Sequence, residues 1–241
     1  RFPNMPIRVF NGGIGGDTAY DMNKRLDGDI FSKNPTVLMV TFGMNDSGYY
    51  EYNGDNAKEF GEQKYQESIK NFQQMEKRFK ELPHTRIVMT GTSPYDETAQ
   101  IKDNTVFKKK NETIKRIIEY QRESAARNGW EFTDWNAPMV AINQELQQKY
   151  PSFTLCGNDR IHPDNDGHMV MAYLFLKAQG FAGKDVANME INANKKQAVK
   201  AEGCTISNIK KIGKDISFDY LAEALPYPLD TIARGWGSKK S

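Results

Sequence analysis

An α/β fold built on a parallel sheet is predicted by three features of this chain of 241 residues. Short apolar and β-branched runs alternate with longer stretches of helical periodicity, the order that produces parallel strands joined by crossover helices. The run from Thr36 to Asp46, TVLMVTFGMND, is apolar and bounded by turn residues, as a buried strand of a parallel sheet is. A glycine-rich stretch, Asn11-Gly-Gly-Ile-Gly-Gly-Asp-Thr18, stands between an early apolar run and the first helical pattern.

In order along the chain, Ile7 to Phe10 reads as a first strand. Four glycines in positions 12–16 follow, so backbone is brought close to something there, or φ is positive. Asp17 or Thr18 caps a helix from about Ala19 to Phe31, with Met22, Leu26 and Ile30 on one face. A strand, glycine loop and helix N-terminus bind anions or oxyanions through backbone N–H groups. A dinucleotide fingerprint fails in both registers, because Thr18 or Ile14 falls where glycine is required. Val37 to Val40 then lie in the central strand, and Gly43 permits a tight exit. Asn45 points its amide into the crevice at the carboxyl end of the sheet, where open α/β sheets place ligands. An amide N–H there is a good donor to negative charge developing on oxygen. The alternative is that Asn45 and Asp46 cap the next helix.

Tyr49, Tyr50 and Tyr52 occupy a polar loop, either as a platform for a sugar or acyl group or as packing on the domain edge. A helix runs from about Ala57 to Leu82, with Ile69, Phe72, Met75 and Phe79 as its buried stripe, and Pro83 ends it. Arg86 to Thr90 is a strand and Gly91-Thr-Ser-Pro-Tyr95 its exit loop. A helix from about Asn104 to Asn128 carries Val106, Ile114, Ile117 and Ile118 on one face and closes at Gly129. Trp130 to Thr133 is a strand, with Asp134-Trp135 its exit, and Ala137 to Tyr150 is a helix. The loop Leu155-Cys-Gly-Asn-Asp-Arg-Ile-His-Pro-Asp164 then feeds a helix from about Gly167 to Ala178. Asp159 and His162 lie three apart, a spacing that sets a carboxylate beside an imidazole; such pairs serve either catalysis or structure. His168 packs or caps on the helix that follows. Beyond it, Val186 to Ile191 is strand-like and Ala198 to Tyr220 alternates around a Lys211-Ile-Gly-Lys-Asp turn, predicting a small antiparallel addition. Phe218 to Pro226 reads as a short helix and Gly235 to Ser241 as a flexible tail. Residues 1–182 therefore form the main domain and 183–241 an extension.

Composition narrows the function. The 33 basic and 31 acidic residues nearly balance, so nucleic acid is not an expected partner. The basic run Lys108 to Lys110 reads as a solvated helix face. No apolar run is long enough for a transmembrane segment. Cys156 and Cys204 make no disulfide framework and are expected as free thiols. Three histidines and two cysteines show none of the zinc spacings, so no metal and no other cofactor is expected.

Taken together, Asn11-Gly-Gly-Ile-Gly-Gly-Asp-Thr18, Gly43-Met-Asn-Asp46 and Asp159-Arg-Ile-His162-Pro resemble, in order and placement, blocks II, III and V of the SGNH (GDSL-type) hydrolases. The resemblance spans roughly Ile7 to Gly180. It implies a flavodoxin-like three-layer α/β/α sandwich and ester hydrolysis by a serine nucleophile. By the same resemblance, Gly16 supplies a backbone N–H and Asn45 its side-chain amide to the oxyanion hole, His162 is the general base, and Asp159 orients it. The family's first block, Gly-Asp-Ser on the first strand, does not occur in the chain; Ser47 and Ser93 are poor substitutes. In the flavodoxin-like order that strand lies between the second and third. The expectation is that an upstream segment, or a separate chain, supplies strand and serine. Deacylation of a saccharide is the first expected activity. An acyl-chain lysophospholipase or thioesterase is second, and a carbohydrate-binding protein that has lost the serine is a rival. Export to the periplasm or medium would suit such a substrate.

Overall fold

The computed structural model describes residues 6–102 and 105–223. Two compact units divide them: Asn11–Gly180, and residues 6–10 with those from Phe181 onward.

The larger unit holds three parallel strands, β1 (Val37–Phe42), β2 (Arg86–Gly91) and β3 (Glu131–Asp134), in the order β1-β2-β3. Five α-helices accompany them: α1 (Ala19–Arg25), α2 (Ala57–Phe79), α3 (Lys110–Asn128), α4 (Asn136–Gln147) and α5 (Asn165–Ala178). This is the predicted α/β alternation. Leu38, Val40 and Phe42 alternate along β1 and are buried. With Ile87 and Met89 of β2 they meet Phe72, Met75 and Phe79 of α2 and Ile117 of α3 in one core. Each such side chain contributes about 1.5–3 kcal/mol on leaving water. The other face of β1 is not covered in the same way: Val37 and Met39 are about half exposed (49% and 48%). Among the described residues β1 pairs only with β2, so its second edge is open.

The predicted strand at Ile7–Phe10 is not formed. Ile7 and Val9 are exposed. A strand exists only where a neighbour accepts its backbone hydrogen bonds. In the flavodoxin-like order this segment pairs with the first strand rather than with β1, and no such strand is among the described residues.

Helix boundaries differ from the sequence reading where side chains from elsewhere intervene. Thr18 is the cap of α1, and the Asp21 carboxylate accepts both its N–H (3.2 Å) and its hydroxyl (2.6 Å). Beyond Arg25 the helix widens into a π turn over Leu26–Ile30 and a 3₁₀ turn over Phe31–Lys33, which Asn34 ends in the left-handed conformation (φ 47°). The third long helix begins at Lys110, not near Asn104, which lies outside the described residues. Lys109 is left-handed (φ 70°) and breaks the helix backwards. The Glu97 carboxylate then accepts the N–H groups of Lys109 (2.8 Å) and Asn111 (2.7 Å), an anion on a helix N-terminus. Gly129 closes the same helix with φ 66°, as predicted.

The smaller unit contains two antiparallel pairs rather than one hairpin: β4 (Asn188–Asn192) with β5 (Gln197–Glu202), and β6 (Cys204–Ile212) with β7 (Asp215–Ala222). Gly213 (φ 61°) lies in the predicted turn. Phe218–Ala222 is not helical but belongs to β7, where Tyr220 pairs with Ile206; pairing with β6 overrides a weak helical pattern. Residues 224–226 of that predicted helix, and the predicted tail, lie outside the described residues.

Both cysteines are free and buried. Burial pushes the Cys156 thiol up to about 12, and its S–H donates to the Pro94 carbonyl (3.2 Å). The thiolate is the reactive form, so neither thiol is expected to react with a disulfide reagent at pH 8 until denaturant is added. Rapid labelling of native protein at Cys156 would contradict this burial.

Candidate active site

Three loops carry the predicted polar groups: the exit of β1, the glycine loop that leads into α1, and the loop between α4 and α5. The first is the exit of β1. Gly43 turns the chain with φ 126°, and Asp46 folds back beneath it. The Asp46 carboxylate accepts the N–H of Gly43 (3.1 Å), the N–H of Ala19 at the start of α1 (3.0 Å) and the Ser68 hydroxyl (2.9 Å). Burial raises its pKa, and these three donors oppose the rise. Asp46 thus caps the preceding helix across the fold, not the next one as the local pattern allows.

That tie leaves Asn45 to face the glycine loop. Its amide N–H donates to the Asp17 carbonyl (3.0 Å), and the Tyr49 hydroxyl donates to its amide oxygen (2.6 Å). These two bonds decide which end of the amide is which. An amide nitrogen carries two donors, so one remains beyond the bond to Asp17. Gly16, one residue before, has φ 88°, and its N–H has no acceptor among the described residues. The bond to the Asp17 carbonyl thus sets the Asn45 amide beside the end of the glycine loop that carries Gly16. Asp17 itself pairs with Arg25 (2.6 Å), which pins the end of the glycine loop.

The third loop carries the predicted pair. The Nδ1 of His162 lies 2.6 Å from Oδ2 of Asp159. The other carboxylate oxygen accepts the backbone N–H groups of Ile161 and His162, both at 2.9 Å. Burial acts to raise the Asp159 pKa; the His162 bonds, backbone and side chain, and the Ile161 N–H outweigh it, and the net shift is downward. A carboxylate so held stays ionised and fixes one imidazole nitrogen, which leaves Nε2 as the basic one. Gly157 makes the turn possible: it has φ 67°, and a Cβ there would stand 2.4 Å from the His162 carbonyl oxygen.

One further residue, Arg160, locks this loop to the exit of β2, and the sequence reading gave it no role. Arg160 (φ 68°) is fully buried, and its guanidinium donates to the carbonyls of Asp96 (3.0 Å) and Ala99 (2.8 Å). Its own carbonyl accepts the Asp96 N–H (3.0 Å). The aromatic cluster of Tyr52, Tyr95 and Phe107 joins the loops, since Met44, Tyr49 and Ile161 all pack against it. Tyr49 is pushed up to about 12, by burial first and then by the charge of Asp159, so the Asn45 turn and the Asp159 carboxylate share one electrostatic neighbourhood.

The aromatic residues divide. Tyr52 is buried and donates to the Ser47 carbonyl (2.8 Å). Trp135 is buried and its indole N–H donates to the Met171 carbonyl (3.1 Å), so it is not available to a ligand. Tyr50 is 79% exposed, with its ring edge-on to Phe107 at 5.4 Å. Lys110 overturns the reading of residues 108–110 as a solvated face: Lys108 and Lys109 are exposed, whereas Lys110 is wholly buried. Ser47 and Ser93 are also buried. Among the described residues no group of three histidine, cysteine or acidic side chains is placed to hold a metal ion, and no helix is long and apolar enough to cross a membrane.

Residues 3–170 match the model of the GDSL-like lipase/acylhydrolase family. An acetylxylan esterase of Geobacillus stearothermophilus is 25% identical over 181 residues, covering 75% of each chain. The crystal structure of an acetylxylan esterase from that organism, Axe2, superposes with a TM-score of 0.56 at 25% identity over 75% of both chains. An acetyl xylan esterase, AlAXEase, gives a TM-score of 0.51 at 22% identity over 69% of this chain and 78% of that one. Crystal structures of catalytic mutants of Axe2 replace a serine close to its amino terminus, and an aspartate and a histidine three positions apart. These neighbours share the α/β fold of the SGNH hydrolases.

Proposed function

The chain belongs to the GDSL-like lipase/acylhydrolase family, whose members and solved neighbours here are esterases, and on that premise we propose that it is a serine esterase that removes acetyl groups from a saccharide. The observation that carries this reading is the His162–Asp159 pair at 2.6 Å, on a loop that packs through one aromatic cluster with the turn bearing Asn45. In this reading Nε2 of His162 takes the proton of a serine hydroxyl as its oxygen attacks the ester carbonyl. The oxyanion that forms is met by the Gly16 N–H and the free N–H of Asn45. Collapse of the intermediate expels the sugar alkoxide, which His162 protonates. Water, activated by His162, then repeats the sequence and releases acetate and the free serine.

The serine is proposed to come from a segment upstream, on a strand that pairs with the open edge of β1. Four features support this: the unpaired edge, the half-exposed Val37 and Met39 beside it, the lack of a Gly-Asp-Ser sequence in the chain, and the place of the serine in Axe2. The test is to label the full-length protein with a serine-directed fluorophosphonate and map the tagged peptide. The expected result is a tag on a serine upstream of the residues numbered here. No tag on folded, full-length protein would overturn the esterase and favour a binding protein on the same fold.

The saccharide rests on the names of the relatives and on Tyr50, whose exposed ring beside the site suits stacking on a sugar. Tyr50→Ala is expected to raise KM for an acetylated xylo-oligosaccharide by about three- to tenfold, the worth of one aromatic contact, and to leave KM for p-nitrophenyl acetate unchanged. Equal effects on both substrates, or faster turnover of long-chain acyl esters than of acetyl sugars, would refute the saccharide assignment.

A further inference from the structure

Lys110 is a basic group buried at the first residue of a helix, where both desolvation and the helix dipole oppose a positive charge. Such a group persists only where its donors are used. The ammonium donates to the Met44 carbonyl (2.7 Å), the Ser47 hydroxyl (2.6 Å) and the Gly48 carbonyl (2.5 Å). Three acceptors within residues 44–48 bracket Asn45. The same ammonium sits 3.8 Å from the centroid of the Tyr49 ring, and it is the hydroxyl of Tyr49 that holds the Asn45 amide. Glu97, by capping α3, aims Lys110 at this turn.

We propose that Lys110 and Tyr49 are positioning residues for the Asn45 amide: Lys110 fixes the turn and the Tyr49 ring, and Tyr49 fixes the amide so that its N–H faces the reacting carbonyl. The inference rests on the esterase reading above and adds to it two residues that touch no substrate. Burial lowers the pKa of the Lys110 ammonium, the charges of Asp46 and Glu97 oppose it, and the net shift is down to about 7. Tyr49, pushed up to about 12, remains a donor at any working pH.

The test measures kcat and KM for p-nitrophenyl acetate in the full-length protein carrying Tyr49→Phe or Lys110→Met, each alone and combined with Asn45→Ala. Phenylalanine keeps the ring and removes only the hydroxyl, so Tyr49→Phe decides the matter even if Lys110→Met does not fold. The expected result is a fall in kcat of about three- to tenfold for each, the worth of one hydrogen bond, with KM within twofold. In the Asn45→Ala background neither change should lower kcat further, because there is no amide left to hold. An unchanged kcat in Tyr49→Phe would overturn the proposal, and so would a loss of the same size in both backgrounds, which marks a general structural role. If Asn45→Ala itself leaves turnover intact, it is the oxyanion assignment that fails, and the proposal with it.

Discussion

Replacing His162 by alanine in the full-length protein is expected to lower ester turnover by about 10⁴ or more, the scale on which loss of an acid–base histidine acts. The loss is attributable to the imidazole because little else changes. The side chain is about half exposed (47%), so its removal opens no cavity in the core. The turn that carries it is held by bonds the variant keeps: Oδ1 of Asp159 to the N–H groups at positions 161 and 162, and Arg160 to the carbonyls of Asp96 and Ala99. A thermal midpoint within a few degrees of the parent, together with turnover near background, is the predicted pair of results. Turnover within tenfold of the parent would remove His162 from the mechanism.

Replacing Asn45 by alanine is expected to cost about 10²–10³ in kcat, the effect of one lost oxyanion donor. The fall should appear in kcat with KM nearly unchanged, since the bond matters only as charge develops on the carbonyl oxygen. The variant also loses the bonds to the Asp17 carbonyl and from the Tyr49 hydroxyl, each worth about 0.5–1.5 kcal/mol, but the turn keeps its other anchors. Asp46, not Asn45, ties the turn to α1 and to Ser68, and Lys110 continues to hold Met44, Ser47 and Gly48. A parallel rise in KM with constant kcat would instead mark Asn45 as a ground-state binding residue.

Much of the geometry of the candidate site was legible in the sequence because its signals are local. Glycine at positions 12, 13, 15 and 16 signals backbone that is closely approached or turns through positive φ, and Gly16 does take positive φ. Asp159 and His162 are three residues apart, close enough to meet within one turn whatever surrounds it. The misreadings share a different character. Asn45 and Asp46 are adjacent, and the pattern allowed both to cap or both to act. The fold separates them, because Asp46 finds Ala19 and Ser68, which are 27 and 22 residues away in sequence. The tyrosines of the Tyr49–Tyr52 loop likewise read either as a platform or as packing, yet Tyr52 is sealed by Ser47 and Thr113 while Tyr50 stays open to solvent.

Periodicity and turn chemistry were sufficient to set the order of strands and helices from Ala19 to Ala178, because backbone preference and amphipathic pattern are properties of neighbouring residues. They also singled out the candidate groups: a glycine loop, an amide and an imidazole with its carboxylate. The fate of each buried polar group was settled only on folding. Lys110 stands in a run of three lysines that looks solvated, and it is buried because the carbonyls that can satisfy it come from a turn more than sixty residues earlier. The Ile7–Phe10 run has the composition of a strand, but a strand is made by its neighbour, and no pattern within one segment supplies the partner that its N–H and C=O groups require.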